Sequence, residues 1–137
     1  MNVKLKGRKV VGGVAEGEAL VSSEAVSFYG GVDPGTGIII DHGHPLEGRS
    51  ITGKVFIFPT GKGSTVGSYV IYRMKKLGTA PAAIVNVETE VIIATGCVIS
   101  EVPLVDKLDG NPLIDFSDGM HLRVDADEGF VEIISRD

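Results

Sequence analysis

The sequence predicts a β-rich α/β domain organised around one β-α-β unit. Three observations carry this. Nineteen of the 137 residues are glycine, about twice the usual share. They are scattered between short β-prone runs rather than gathered in a low-complexity tract, which is the pattern of many tight turns. Residues 54–58 and 82–87 are nearly all apolar, as strands buried on both faces are. Between them lies one stretch of helical periodicity.

The elements follow in order. Residues 10–11, 18–23 and 26–29 are short β-prone runs set apart by Gly12-Gly13, Gly17 and Gly30-Gly31. Val32-Asp33-Pro34-Gly35-Thr36-Gly37 reads as a turn, because proline presets φ and glycine admits positive φ. Residues 38–40 form an apolar strand, and 42–49 a polar loop. After the strand at 54–58 comes the loop Pro59-Thr60-Gly61-Lys62-Gly63. Val66, Tyr69, Val70, Met74 and Leu77 then recur with the spacing of one helix face, so a helix is predicted over about 65–77. Arg73, Lys75 and Lys76 near its end complement the macrodipole, and Gly78 suits the left-handed position that follows. The strand at 82–87 completes the unit, so the two strands are expected to be parallel with a right-handed crossover. Residues 90–97 fit either a short helix or a strand. Residues 103–105, 122–125 and 130–134 read as strands, the last two around the turn Asp127-Glu128-Gly129. There is no internal repeat and no linker, so residues 1–137 are expected to form one domain.

Composition removes several classes of function. The formal charge of −5 argues against binding along a nucleic-acid backbone. The amino end is mildly basic (Lys4, Lys6, Arg8, Lys9). The carboxyl end is acidic (Asp125, Asp127, Glu128, Glu132, Asp137). Cys97 is the one cysteine. It has no partner for an internal disulfide, cannot alone hold zinc or an iron–sulfur cluster, and reads as a core thiol. No apolar run approaches the ~20 residues of a membrane span, and the first residues lack the apolar core of a signal peptide. A cytoplasmic protein is expected.

The stretch that can carry chemistry is Gly61-Lys62-Gly63-Ser64-Thr65-Val66-Gly67-Ser68, between a buried strand and a helix. Glycines admit a sharp turn and a closely approaching ligand. The first turn of the helix then offers free N–H groups and favours negative charge. It is not a Walker A loop, because Gly63 separates Lys62 from Ser64. Nor is it a dinucleotide fingerprint, whose third glycine falls on Val66. The structural reading of Ser64 is a helix N-cap stabilising by roughly 1 kcal/mol. Gly67 at N3 excludes a capping box, and Gly67 and Ser68 both weaken the helix start, which adds weight to a ligand site. His42 and His44, with Asp41, have the spacing of metal ligands on a strand face, but a solvated loop accounts for them better. Asp33 is a candidate carboxylate in an Asp-Pro-Gly sequence that is ordinary turn chemistry.

A resemblance goes further than these patterns. Ser27-Phe28-Tyr29-Gly30-Gly31-Val32-Asp33-Pro34, His44-Pro45-Leu46-Glu47-Gly48, the Gly61–Ser68 loop continuing into Tyr69-Val70, and Ala80-Pro81-Ala82-Ala83-Ile84-Val85 occur in that order. They are followed by Glu88-Thr89-Glu90-Val91-Ile92-Ile93-Ala94-Thr95-Gly96 and Glu101-Val102-Pro103-Leu104-Val105. Over nearly its whole length the chain resembles the small subunit of the aconitase-X family, its archaeal branch most of all.

The resemblance implies an aconitase-like swivelling β/β/α domain with a β-α-β unit around the Gly-rich loop. It implies a heterodimer with a large subunit that carries the cysteine ligands of an iron–sulfur cluster, so the cluster is expected on the partner and not on this chain. It implies dehydration of (R)-mevalonate 5-phosphate to trans-anhydromevalonate 5-phosphate in an archaeal mevalonate route to isoprenoids, with the partner's iron as Lewis acid for the departing hydroxyl. The family's serine proton acceptor falls on Ser64.

A serine hydroxyl is a weak base at neutral pH. A helix end contributes at most ~2 kcal/mol, or about 1.5 pKa units, so help from the large subunit is expected. The backbone N–H groups of Gly63 to Thr65 are candidates to hold an anionic substrate group, and Lys62 is a candidate for the same task or a solvated lysine. The rival readings are another dehydratase subunit of the family, such as a hydroxyproline dehydratase, and a stand-alone anion-binding module. A phosphohistidine swivelling domain is disfavoured, because no histidine lies in the 61–68 segment.

Overall fold

The computed structural model describes residues 3–136. Met1 and Asn2, which belong to the amino-terminal reading above, and Asp137, counted with the acidic carboxyl end, lie outside the described residues.

The strands are β1 (Lys4–Lys6), β2 (Arg8–Val11), β3 (Val14–Val21), β4 (Val32–Asp33), β5 (Ile38–Ile39), β6 (Val55–Phe58), β7 (Ala83–Asn86), β8 (Leu104–Asp106), β9 (His121–Asp125) and β10 (Phe130–Ser135). The helices are α1 (Gly67–Leu77), α2 (Val91–Ser100) and the short α3 (Pro112–Asp115). Eight strands run in the order β1-β10-β9-β3-β6-β7-β8-β2, and β4-β5 form a separate pair. β3, β6, β7 and β8 are parallel neighbours, while β9, β10, β1 and β2 add antiparallel pairs.

The long sheet bends into two layers at β3. The first half of this strand (residues 14–18) pairs with β9 and the second half (19–21) with β6. Gly17 lies where the partner changes, and a Cβ there would stand 2.7 Å from the Gly53 carbonyl oxygen. The glycine that reads as a strand break in the sequence is therefore inside the strand, because the bend leaves no room for a side chain. At the opposite corner only Gly7 separates β1 from β2, which brings the two sheet edges together.

Alternation along the central strands builds two cores. Phe56, Phe58, Ile84 and Leu104 face Ile71 and Met74 of α1 and Ile93 and Cys97 of α2. Val55, Ile57, Ala83, Val85 and Val105 face Leu122, Val124, Val131 and Ile133 of the antiparallel layer. The layers are thus β, β and α, as the resemblance implies. Cys97 is fully buried, and burial pushes its thiol pKa up.

The β6-α1-β7 unit has the expected parallel strands. The ambiguous run at 90–97 is helical: Glu90 caps α2 by accepting from the Ile92 and Ile93 N–H groups at 2.8 and 2.9 Å. A second β-α-β unit, β7-α2-β8, results. Three further expectations are corrected. Residues 4–6, read only as a basic end, form an edge strand on β10. Residues 26–29 are not a strand. Val26 alone bridges to Gly61, and the chain then turns so that the Val32 N–H reaches the Phe28 carbonyl and Phe28 plugs the helix-side core.

The third correction concerns α1. Of the predicted apolar stripe only Met74 is fully buried; Val66, Tyr69 and Leu77 are exposed. The packed face is Gly67, Ser68, Ile71 and Met74. Periodicity scores large apolar residues, whereas the two helices approach closely where residues are small. Gly67 lies against Ile92 of α2, and a Cβ on Gly96 of α2 would fall 2.6 Å from Ile71.

Asp106, at the end of β8, ties the first strand pair to α2. Its carboxylate is fully buried and accepts from Arg8 at 2.9 and 2.8 Å and from the Thr89 N–H at 2.8 Å. Desolvation raises its pKa, but the hydrogen bonds from Arg8 and Thr89 outweigh this and hold it below the ordinary carboxylate value. A depressed folded-state pKa stabilises above the unfolded value of about 3.9, and that stability is lost as pH falls through the folded one. Asp106→Asn is therefore expected to cost about 1.5–3 kcal/mol at pH 7. In urea unfolding the gap from wild type should narrow at pH 3, below the unfolded carboxylate value, where the unfolded wild-type chain already binds the proton. A gap independent of pH would show that the charge contributes nothing.

Candidate functional site

The Gly-rich loop is held from both sides before it reaches the helix. The Val26 N–H donates to the Thr60 carbonyl, and the Lys62 N–H donates back to the Val26 carbonyl, each at 3.1 Å. The Pro59 carbonyl accepts from the N–H groups of Val87 and Glu88, which fastens the loop to the end of β7. Gly61 is buried against Glu90 and Ile93, where a Cβ would clash with both. The backbone then turns through Gly63 at φ 86°, a conformation that glycine adopts without strain. The side of Gly63 that would carry a Cβ is filled by the Ser27 hydroxyl, itself donating to the Tyr29 carbonyl at 3.0 Å.

Ser64 emerges from this turn exposed to solvent. Its hydroxyl oxygen accepts from the Val66 N–H at 3.2 Å, and its carbonyl accepts from the Gly67 N–H at 2.9 Å. It is thus not the N-cap of α1. The helix begins at Gly67, and Val66 stands at the cap position in helical geometry without a side-chain cap bond. Ser64 instead closes a two-residue turn one step ahead of the helix.

The same geometry relocates the free amides. The first-turn N–H groups of Gly67, Ser68 and Tyr69 are taken by the carbonyls of Ser64, Thr65 and Val66, so they do not face a ligand. Among the described residues, the amides of Gly63, Ser64 and Thr65 have no intramolecular acceptor. Gly67 and Ser68 have structural reasons of their own. Gly67 gives the close approach to α2, and the buried Ser68 hydroxyl donates to the Ile92 carbonyl at 2.8 Å. Their poor helix propensity is therefore explained by packing rather than by a ligand.

Lys62 is exposed and forms no ion pair among the described residues. With Ser27, Tyr29, Gly31, Asp41 and Gly63 it lines an open cleft of about 370 Å³. Ser27 went unnoticed in the sequence. The only signal was its place at the head of the first family segment, since its closeness to Gly63 comes from the Val26–Gly61 bridge.

The other sequence candidates resolve into structure. His42 is exposed and lies 3.4 Å from Glu47. His44 is buried, which corrects the solvated-loop reading: its Nδ1 accepts from the Leu46 N–H at 3.0 Å, and its Nε2 faces the Ser22 hydroxyl at 3.3 Å. His121 pairs with Glu16 on the far layer. Asp33 accepts from the Gly35 N–H and the Thr36 hydroxyl and does only turn work. Among the described residues no group of three or more His, Cys, Asp or Glu side chains could hold a metal ion. Nor is any of their helices long and apolar enough to cross a membrane.

Known proteins match this architecture. The Aconitase X swivel domain family matches residues 4–133. The phosphomevalonate dehydratase small subunit of Methanosarcina acetivorans is 54% identical over 132 residues, covering 96% of this chain and 92% of that protein. The subunit of the same name from Thermococcus kodakarensis is 57% identical over 132 residues, covering 96% and 97%. A crystal structure of Thermococcus kodakaraensis aconitase X in its holo-form superposes with a TM-score of 0.92 at 56% identity, covering 97% of this chain and 99% of that one.

Proposed function

This chain belongs to the aconitase X swivel-domain family, as the small subunit of a phosphomevalonate dehydratase, and on that premise we propose that Ser64 is the proton acceptor of the reaction. The observation that carries the proposal is the placement of Ser64. Its hydroxyl is presented to solvent directly after a positive-φ glycine and just ahead of a helix start, beside amides that have no acceptor among the described residues.

The enzyme is a hydro-lyase, and a larger partner subunit completes it. The reaction removes a proton from the carbon beside the substrate carboxylate. The electron pair left behind forms the double bond of trans-anhydromevalonate 5-phosphate as the tertiary hydroxyl leaves as hydroxide, which with the abstracted proton makes up the water lost. Ser64 Oγ takes the proton. The Val66 N–H already points at that oxygen, and such a bond strengthens when the oxygen carries charge, to about 1.5–3 kcal/mol. Together with the helix end this lowers the hydroxyl pKa. No titratable side chain of this chain touches Ser64 Oγ among the described residues, so the remaining activation comes from the partner. The amides of Gly63 to Thr65 and the Lys62 ammonium hold an anionic group of the substrate in the adjoining cleft.

An iron–sulfur cluster does not fit on this chain. Cys97 is its one cysteine, buried inside α2 with its thiol held protonated. The cluster would belong on the large subunit, where it would supply a Lewis acid for the leaving hydroxyl. The complex works in the cytoplasm.

The test is to co-express this chain with its cognate large subunit, purify the complex anaerobically and offer it mevalonate 5-phosphate and hydroxyproline separately. Dehydration of the phosphate ester alone is expected. Turnover of hydroxyproline instead would keep the fold and the serine but overturn the substrate. An inert complex with both would leave the anion-binding module as the better account.

A further inference from the structure

We propose that the ridge formed by Val66 and Tyr69, with Tyr29 and Ile40 on one side and Val91 and Ile99 on the other, is the surface on which the large subunit docks. The inference rests on the small-subunit reading and names the face that this reading leaves open. All six side chains are exposed, and Tyr69 and Val91 are 68% and 71% exposed. They are not scattered singly. Two grooves of about 320 and 410 Å³ share Val66 and Tyr69 as a common wall, one running to Val91 and Ile99, the other to Tyr29 and Ile40. Tyrosine presents about 150–250 Å². Tyr29 at 56% and Tyr69 at 68% exposure together offer roughly 250 Å² before the aliphatic neighbours are added. Most monomers expose no more than a few hundred Å² in one apolar patch.

The occupant follows from continuity with the site. Thr65 and Val66 follow Ser64 directly, and Tyr29 also lines the cleft that holds Lys62 and Gly63. Among the described residues Ser64 has no activating side chain, and one buried cysteine cannot hold a cluster. Whatever completes the site must come over Ser64, and a body large enough to do so covers this ridge. The rim is charged: Arg73 and Asp33 line one groove, and Lys75 and Lys76 follow Arg73 on the same helix. The complementary face of the large subunit is therefore apolar at its centre, with charged groups at its edge, a carboxylate opposite Arg73 among them. The helix pattern agrees, because Val66 and Tyr69 recur at core spacing although the core they serve is not in this chain. On the other side of the sheet Ile114 of α3 is exposed, while its neighbours Leu113 and Phe116 pack inward.

The test uses the two subunits together. Tyr69→Glu and Val91→Asp, made separately, are each expected to weaken pairing with the purified large subunit about 30-fold or more, as loss of a central contact does. Ile114→Glu should change pairing less than about twofold. Unchanged circular dichroism and thermal midpoints would confirm that the exposed substitutions leave the fold intact. Wild-type binding with full affinity retained by both ridge variants would overturn the docking face while leaving the subunit reading whole. A wild-type chain that never pairs would overturn the subunit reading, and the docking face with it. A wild-type chain that self-associates through the ridge, with heteropairing insensitive to Tyr69→Glu, would assign the face to a second copy and overturn the proposal.

Discussion

Ser64→Ala is expected to lower turnover of the assembled dehydratase about 10²–10⁴-fold, the contribution of a positioned general base, without separating the subunits. The fold has little at stake in this hydroxyl. It is exposed, and its one bond is to the Val66 N–H. Losing that bond costs on the order of 0.5–1.5 kcal/mol and leaves the Gly67 N–H on the Ser64 carbonyl. The measurement is kcat and KM for mevalonate 5-phosphate with the anaerobic complex, beside the thermal midpoint and the pairing affinity. A fall in kcat with KM and pairing nearly unchanged is the signature of an interaction made in the transition state. Retention of most of the activity would take the base role from Ser64.

Gly63→Ala should lower kcat by about 10²-fold with the Ser64 hydroxyl still present. Two costs arise together. At φ 86° a Cβ is strained by roughly 1–2 kcal/mol. It would also stand where the Ser27 hydroxyl now sits, so either Ser27 gives up its bond to the Tyr29 carbonyl or the loop moves. A shift of about 1 Å in a reacting group costs about 10²-fold. The variant Ser27→Gly/Gly63→Ala removes the collision but not the backbone strain. It should recover a substantial part of kcat, while the thermal midpoint recovers less. If the double variant is no better than Gly63→Ala, steric contact with Ser27 does not position Ser64. If Gly63→Ala is fully active, the turn is not what places the base.

The legible elements were those whose signal is local. The runs at 54–58 and 82–87 became β6 and β7 because a strand buried on both faces needs apolar residues throughout. Gly78 closes α1 at φ 78° as its place after two lysines predicts. The elements misread depend on what lies across from them. Gly17 looks like a break until β3 changes partner around it. Residues 90–97 are ambiguous by period because α2 is apolar almost all round and is set as a helix by the Glu90 cap. Residues 4–6 are short and charged, and only β10 beside them makes them a strand.

The candidate site divides in the same way. Ser64 and its loop were legible, because a Gly-rich strand-to-helix turn is a continuous stretch of chain and because the ordered segments around it carry the family resemblance. Ser27 was not, since it lies 36 positions before Gly63 and only the fold closes that gap. The roles of Gly67 and Ser68 were misassigned for a related reason: helix propensity describes a helix alone, and both residues answer to α2.

What the sequence determined by itself is therefore the β-rich α/β class, the β-α-β unit, the loop that presents Ser64, and the family to which these belong. Each is written in neighbouring residues or in their order along the chain. Only the tertiary structure decided which face of α1 is buried, which amides remain free, what fills the space beside Gly63, and that Val66 and Tyr69 stand in the open. These depend on distances between segments far apart in the chain. Close packing lets small residues take the interior where helices approach and leaves large apolar ones outside.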